Sequence, residues 1–294
     1  MSQFLNLLAA GLISGAIYGI FGACLAVWFR VCNVLNLAVG DFAMIGAMGT
    51  AQLAQLAHLP FVLSIVIALA ACALIAYAFD WLVLHFAFDR GVGAHGIVSV
   101  FFYTFGLSLL LEGAAKAVFG SDVYGAPAIW KGPALNIGDV HLQRAGLLVI
   151  VLAVIAGLLL WAYLRFTVSG RAASACGENV LGSRIVGISS AQFRRWIFIG
   201  TAVLAGLFGI VESPLSGFTY MSGPTISLIG VVAAGFAAFR KPGRAVLAGL
   251  AIGVAEAMLG GYVSTSYNDV LLYAILFGII IFRPEVLGLR AEPA

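Results

Sequence analysis

In a chain of 294 residues, 63 % hydrophobic side chains, 9 % charged ones and a mean hydropathy of +1.10 leave too little polar surface to cover a water-soluble globule. The solvent must be lipid, no nucleic-acid partner is indicated, and the net charge of +3 is available for orientation. A closed barrel is excluded because the apolar runs are long, continuous and rich in Ala, Leu and Gly rather than short and alternating.

The first run, near 4–28, reads as a retained span: it lacks a basic leader, is too long for a signal peptide, and meets its first cation only at Arg30. Gly11, Gly15 and Gly19 lie at four-residue spacing, the pattern that lets helix backbones approach closely, and are read as packing. A second, Gly-interrupted span is expected near 38–57, preceded by "NVLNLAVGD" with Asn36, Gly40 and Asp41. Spans near 61–86 and 96–118 follow. Between them "GVGAHG" (Gly91 to Gly96) matches a dinucleotide fingerprint by letter, but it leaves a membrane span rather than a strand and is read as a hinge loop.

An outer loop of about 119–144 carries turn formers together with Tyr124 and Trp130, side chains suited to the membrane face. After a span near 145–166 comes the polar island "GRAASACGENVLGSRIVGIS", within a loop of about 169–195. Ala172, Ala175, Cys176, Val180, Ile185 and Val186 form a loose helical stripe, Glu178, Asn179 and Arg184 lie off it, and Gly187 is a stop; a short helix held against the membrane domain is expected. Further spans are expected near 197–214, 225–239 (again Gly-interrupted), 245–262 and 270–283. The fold class is thus an all-α polytopic membrane protein with eight to nine spanning or broken helices in one domain, 1–294.

Placing the island in the cytoplasm puts Arg30, Arg90, Arg165, Arg171, Arg184, Arg194, Arg195, Arg240, Lys241, Arg244, Arg283 and Arg290 inside and leaves only Lys116, Lys131 and Arg144 outside. That asymmetry predicts an outer, periplasmic N-terminus and a cytoplasmic C-terminus. The four cysteines have no metal-type spacing, no nucleotide, zinc or serine-nucleophile motif occurs, and neither a metal site nor an enzyme is expected. Acids inside a membrane cost about 2.5 to 3.5 kcal/mol at a helix centre, so Glu256, Asp41 and Glu212 are candidates for a solute pathway or for inter-helix hydrogen bonds. Glu112 is expected to pair with Lys116 one turn on.

The island resembles, without a gap, the cytoplasmic coupling loop of ABC importer permeases of the branched-chain amino acid type, with Gly170, Arg171, Ala172, Ala175, Arg184, Gly187 and Ile188 at matching positions and Glu178 and Asn179 where the family has an amide and an acid. "SGAIYGIFGACLAVWFRVCNVLNLAVGDFAMIGAM", "FIGTAVLAGLFGI" and "ILFGIIIFRPEVLGLR" extend the likeness over nearly the whole chain. Val39 stands where the family has His, and "FAAFRKPGRAVLAG" carries Arg240, Lys241 and Arg244 where it has a nearly uncharged, Gly-rich turn. The resemblance implies a multi-pass permease subunit of the bacterial inner membrane. Its expected partners are a homologous second permease or a copy of itself, two cytoplasmic ATPase subunits that bind ATP-Mg, and a periplasmic solute-binding protein; no cofactor is expected on this chain. Amino acids, urea and short amides are the solute classes it implies. A self-sufficient ion-coupled transporter or channel is the alternative, powered through Glu256, Asp41 and Glu212.

Overall fold

Lipid offers a backbone no hydrogen-bond partner, so apolar runs must close their own ladders as helices. The computed structural model describes residues 2–55, 59–89, 94–130, 135–137, 140–239, 241–264, 270, 273–275 and 277–278. Among them, eleven helices follow in order: α1 (Ser2–Cys32), α2 (Val39–Gln55), α3 (Phe61–Phe79), α4 (His85–Asp89), α5 (Ala94–Phe119), α6 (Arg144–Phe166), α7 (Val168–Glu178), α8 (Val180–Ile185), α9 (Ser190–Ser216), α10 (Ser222–Phe236) and α11 (Pro242–Tyr262). A two-stranded antiparallel hairpin, β1 (Leu135–Ile137) and β2 (Val140–Leu142), folds within the loop between α5 and α6 and departs from the all-helical expectation.

Among the described residues, six helical segments are long and apolar enough to cross a membrane: Gln3–Cys32, Phe61–Leu84, Ser99–Phe119, Arg144–Phe166, Ser190–Ser216 and Pro242–Tyr262. The Gly-interrupted segments expected near 38–57 and 225–239 are shorter, with 17 residues in α2 and 15 in α10. At 1.5 Å per residue they measure roughly 25 Å or less, under the ~30 Å hydrocarbon core. The hinge expected at Gly91 to Gly96 lies partly, and the span expected at 270–283 mostly, outside the described residues.

α1 is the axis of the bundle and packs against α6, α7, α9, α10 and α11. The glycines expected to serve packing do so here. A Cβ built on Gly11 or Gly15 would lie 2.7 Å from the Val254 or Leu250 Cα, and one on Gly19 would lie 2.8 Å from the Val246 carbonyl oxygen. Gly249 and Gly253 return the contact onto Gly19 and Gly15, so α1 and α11 touch backbone to backbone. On another side Gly22 abuts Ala233 of α10. Trp28, Phe42, Phe79 and Phe198 then close an aromatic cluster where α1, α2, α3 and α9 meet, with ring centroids 5.1 to 6.0 Å apart.

α9 begins at Ser190, seven residues before the expected 197, because Arg194 and Arg195 are held inside the bundle rather than in the loop. Their Nε atoms donate to the two oxygens of Asp80, at 3.0 and 2.8 Å, and Asp80 is fully buried. Asp80 opens a π-helical turn, Asp80–Leu84, between α3 and α4. The guanidinium groups also lie over Phe88 (4.6 Å) and Tyr77 (5.5 Å). A carboxylate buried this completely is tolerable only when paired, and two arginines satisfy both its oxygens.

Two substitutions separate close packing from mere apolarity. Gly15→Leu should lower the unfolding temperature of the purified chain sharply, since overpacking costs about 1–3 kcal/mol and the obstacle is backbone. Gly200→Leu, at an exposed position with nothing within 4 Å, should leave it within a degree or two.

Candidate functional site

α1 ends buried within the protein, and the chain leaves the helix at Asn33, whose φ of +54° lies in the left-handed region that asparagine tolerates. Residues 33–38 are non-helical and buried except for the half-buried Asn33 and Leu37, so the free backbone groups need partners from the protein. Those partners are specific side chains. Asn36 Oδ1 accepts from the Ala38 N–H at 3.1 Å, and Thr104 Oγ1 donates to the Leu35 carbonyl at 3.3 Å. Ser227 Oγ donates to the Leu37 carbonyl and accepts from the Gly40 N–H at 2.8 Å. These backbone groups are thus engaged by side chains of α5 and α10.

What the break leaves without a hydrogen bond is a side chain. Asp41, in the first turn of α2, is fully buried, and neither carboxylate oxygen has a hydrogen-bond partner among the described residues. It rests against Gly223, where a Cβ would collide with Oδ1, and Gly40 is pressed in the same way on the Gly223 carbonyl. The carboxylate thus sits at the start of two helices, α2 and α10, whose aligned peptide dipoles favour negative charge there. The Ser108 hydroxyl of α5 is its polar neighbour, and Glu112 of α5 adds a like charge nearby. Thr104, Ser108, Glu112 and Lys116 recur every fourth residue, one polar line along α5. The pairing expected between Glu112 and Lys116 does not form: the Lys116 ammonium lies 5.1 Å from the centre of the Tyr220 ring.

Glu212 lines a different space. A cavity of about 360 Å³ between α1, α9 and α10 is bounded by Tyr18, Phe21, Glu212, Thr219, Ser222 and Thr225 among others, and Ser216 Oγ donates to Glu212 Oε1 at 3.4 Å. Glu256 is half-buried on α11. Asp41, Glu212 and Glu256 are not brought into one cluster; among the described residues no three His, Cys, Asp or Glu side chains are placed to hold a metal ion.

The island folds as two helices rather than one. Thr167 Oγ1 caps α7 by accepting from the Gly170 N–H at 2.9 Å, α7 ends at Glu178, and Asn179, extended, starts α8 by accepting from the Gly182 N–H at 2.8 Å. Gly187, at φ +81°, ends the segment as expected. Arg194 and Arg195 belong to α9, so the connecting segment is 167–189 rather than 169–195. Gly170, Ala173, Ser174, Cys176 and Gly177 form the buried face of α7; Ala172 and Ala175 are half-buried, and Arg171, Glu178 and Asn179 are exposed. The expected apolar stripe is broken at its far end, since Ile185 and Val186 are 87 % and 78 % exposed. The helix break at Asn179 resets the phase and turns this pair outward, which a single continuous helix could not have shown.

Two glycines seat α7 on the bundle. A Cβ at Gly170 would strike the end of α6 at Tyr163, and one at Gly177 would strike the end of α1 at Arg30. Asn33 Nδ2 donates to the Gly177 carbonyl, so the residue that opens the break is tied to the end of α7.

A profile of the family described as "Branched-chain amino acid transport system / permease component" matches residues 7–280. The high-affinity branched-chain amino acid transport system permease protein LivH of Salmonella typhimurium is 25 % identical over 99 % of this chain and 96 % of its own length. BraD of Pseudomonas aeruginosa, named in the same terms, is 24 % identical over 99 % and 97 %. Among solved structures, PsaBC from Streptococcus pneumoniae in complex with Fab superposes with a TM-score of 0.51 over 96 % of this chain and 93 % of that one, at 13 % identity, a likeness of fold.

Ser227→Ala should expose how much the break depends on its side-chain partners. It strips the Gly40 N–H and the Leu37 carbonyl of their partner at once, and each buried group left unsatisfied costs about 1–3 kcal/mol. Thermal unfolding of the purified variant should fall well below that of Ser216→Ala, whose hydroxyl is exposed.

Proposed function

The chain belongs to the family of branched-chain amino acid transport system permease components, and on that premise we propose that it is the membrane-path subunit of an ATP-driven importer for amino acids or a related small polar solute. The observation that carries this reading is the agreement of the family match over residues 7–280 with an exposed segment, α7–α8, seated on the ends of α1 and α6. In this reading the segment seats in a groove of one of two cytoplasmic ATPase subunits bearing ATP-Mg, and a second permease, homologous or identical, completes the membrane path. A periplasmic solute-binding protein delivers solute to the opposite face, and the whole sits in a bacterial inner membrane with the N-terminus outside and the C-terminus inside, as the placement of the cations supports.

The coupling surface is built of Arg171, Glu178 and Asn179 with the exposed pair Ile185 and Val186, while Ala172 and Ala175 lie close beneath it; Arg184 and Gly187 complete the match to the family. Closure of the ATPase pair pulls on α7, and the joint at Gly177 passes that pull to the end of α1 and to Asn33. Eight residues on stands Asp41, whose unpartnered carboxylate lies beside Gly40 on the proposed path with Asn36, Glu212 and Glu256. A rigid-body transition transmits only what its joints can hold, so α7 must be clamped at both glycines.

Orientation can be read by cysteine labelling, because the four native thiols are buried and burial pushes the Cys176 thiol up, away from its reactive form. Val123→Cys should react with an impermeant reagent in intact cells and Val186→Cys only after lysis; the reverse pattern overturns the topology. Ile185→Glu combined with Val186→Glu should abolish co-purification of the ATPase with little change in unfolding temperature, since both side chains are exposed. Unchanged association together with unchanged solute-stimulated ATP hydrolysis would show that the ATPase docks elsewhere. Asp41→Asn should alter solute uptake at least several-fold while the complex still assembles. Uptake by the purified chain alone, without ATPase, would favour the ion-coupled alternative.

A further inference from the structure

At the end of the bundle where α1 and α6 finish and α11 begins, a cavity of about 430 Å³ is lined by Arg30, Trp161, Leu164, Arg165, Lys241, Pro242, Gly243 and Arg244. Four of its eight lining residues are cations and none is acidic. Among the described residues none of these four cations is ion-paired with a carboxylate. Four like charges around one concavity repel one another unless an anion enters it.

The cavity has a fixed shape. The turn after α10 carries Ala238 and Phe239 both at φ +51°, a left-handed conformation that non-glycine residues adopt only under constraint. Phe239 holds it there, 1 % exposed and with its ring 5.2 Å from that of Phe29. The buried Pro242 seats the start of α11 just beyond this turn, and the exposed Lys241 and Arg244 stand on either side of it. Opposite, the Arg165 guanidinium is spread over Trp161 and Phe166, at 5.1 and 5.7 Å from the ring centres.

The surroundings name the occupant. Trp161 and Phe166 are 42 % and 64 % exposed, aromatic side chains of the kind that mark a membrane interface. Along the same two helices the bare surface is apolar: Val154, Ile155, Leu158 and Leu159 on α6 and Leu247 on α11 are each between 47 % and 66 % exposed. A ligand that brings a phosphate to the cations and acyl chains to that surface satisfies both halves. We propose that Arg30, Arg165, Lys241 and Arg244 form a binding site for the phosphate headgroup of an anionic phospholipid, in the leaflet that faces the cytoplasm in the orientation given above.

Native mass spectrometry of the purified full-length chain, offered phosphatidylglycerol or phosphatidylcholine, tests this directly. The wild type should retain phosphatidylglycerol at least fivefold over phosphatidylcholine, and Arg30→Gln combined with Arg165→Gln and Arg244→Gln should erase the preference. Arg244→Gln alone, at an exposed position where folding is not at stake, should reduce retention two- to threefold, while Arg171→Gln, an exposed cation outside the cavity, should not. Inorganic phosphate at millimolar concentration should fail to displace the lipid. Equal retention of both lipids by the wild type, undiminished retention by the triple variant, or displacement by phosphate alone would overturn the proposal. So would loss of ATPase co-purification in the triple variant without any change in lipid retention, because the cations would then serve the partner protein.

Discussion

A main chain that leaves its helix within a membrane must find its hydrogen-bond partners inside the protein, and the segment between α1 and α2 draws on three side chains for them. Asn36 is local, but Thr104 comes from α5 and Ser227 from α10. The break therefore fixes the neighbours of α2 as firmly as apolar packing does. Hydrophobic burial has little directional content in lipid, where outside and inside are equally apolar, so position is decided by close backbone approach and by polar side chains. The contacts of α1 with α11 at Gly15 and Gly253 and of Gly40 with Gly223 supply the first, and Ser227 supplies the second.

Much of this architecture was legible in the order of residues. The apolar runs marked the helices, the spacing of Gly11, Gly15 and Gly19 marked a packing face, and the polar island marked a segment that could not cross lipid. Less legible was anything that depends on residues far apart in the chain. Asp80 sits in the apolar run "AYAFDWLVLHF", and its partners lie 114 and 115 residues away, so no local pattern announces the pairing. The adjacent Arg194 and Arg195 read as loop because two cations suit water, yet one buried carboxylate brings both into α9. The outward turn of Ile185 and Val186 was hidden by a helical period that runs unbroken only if Asn179 is ignored. Glu112 and Lys116 show the converse failure, a favourable spacing that the fold declines because Tyr220 offers the ammonium an aromatic face.

The polar line on α5 belongs with these long-range features. Thr104 serves the break, Ser108 and Glu112 adjoin Asp41, and Lys116 reaches the loop that leads into α10. A helix polar along one edge and apolar and exposed at Phe102, Phe105, Leu109 and Leu110 is committed to one rotation about its axis. The same economy governs α7, which has a backbone-close face at Gly170 and Gly177 and an open one at Arg171 and Glu178.

The tie from Asn33 to Gly177 places the start of the break under a fixed anchor, and Ser227 anchors its end at Gly40. Between two anchors the number of residues is a matter of phase. One residue inserted or deleted there would turn α2 by about 100° about its axis, a consequence of 3.6 residues per turn. Phe42 would leave its place beside Phe198, and Ala43 would leave the Gly209 backbone. Drift in this family should therefore accumulate by substitution within the segment and almost never by change of its length, so that its residue count is a more conservative character than its letters.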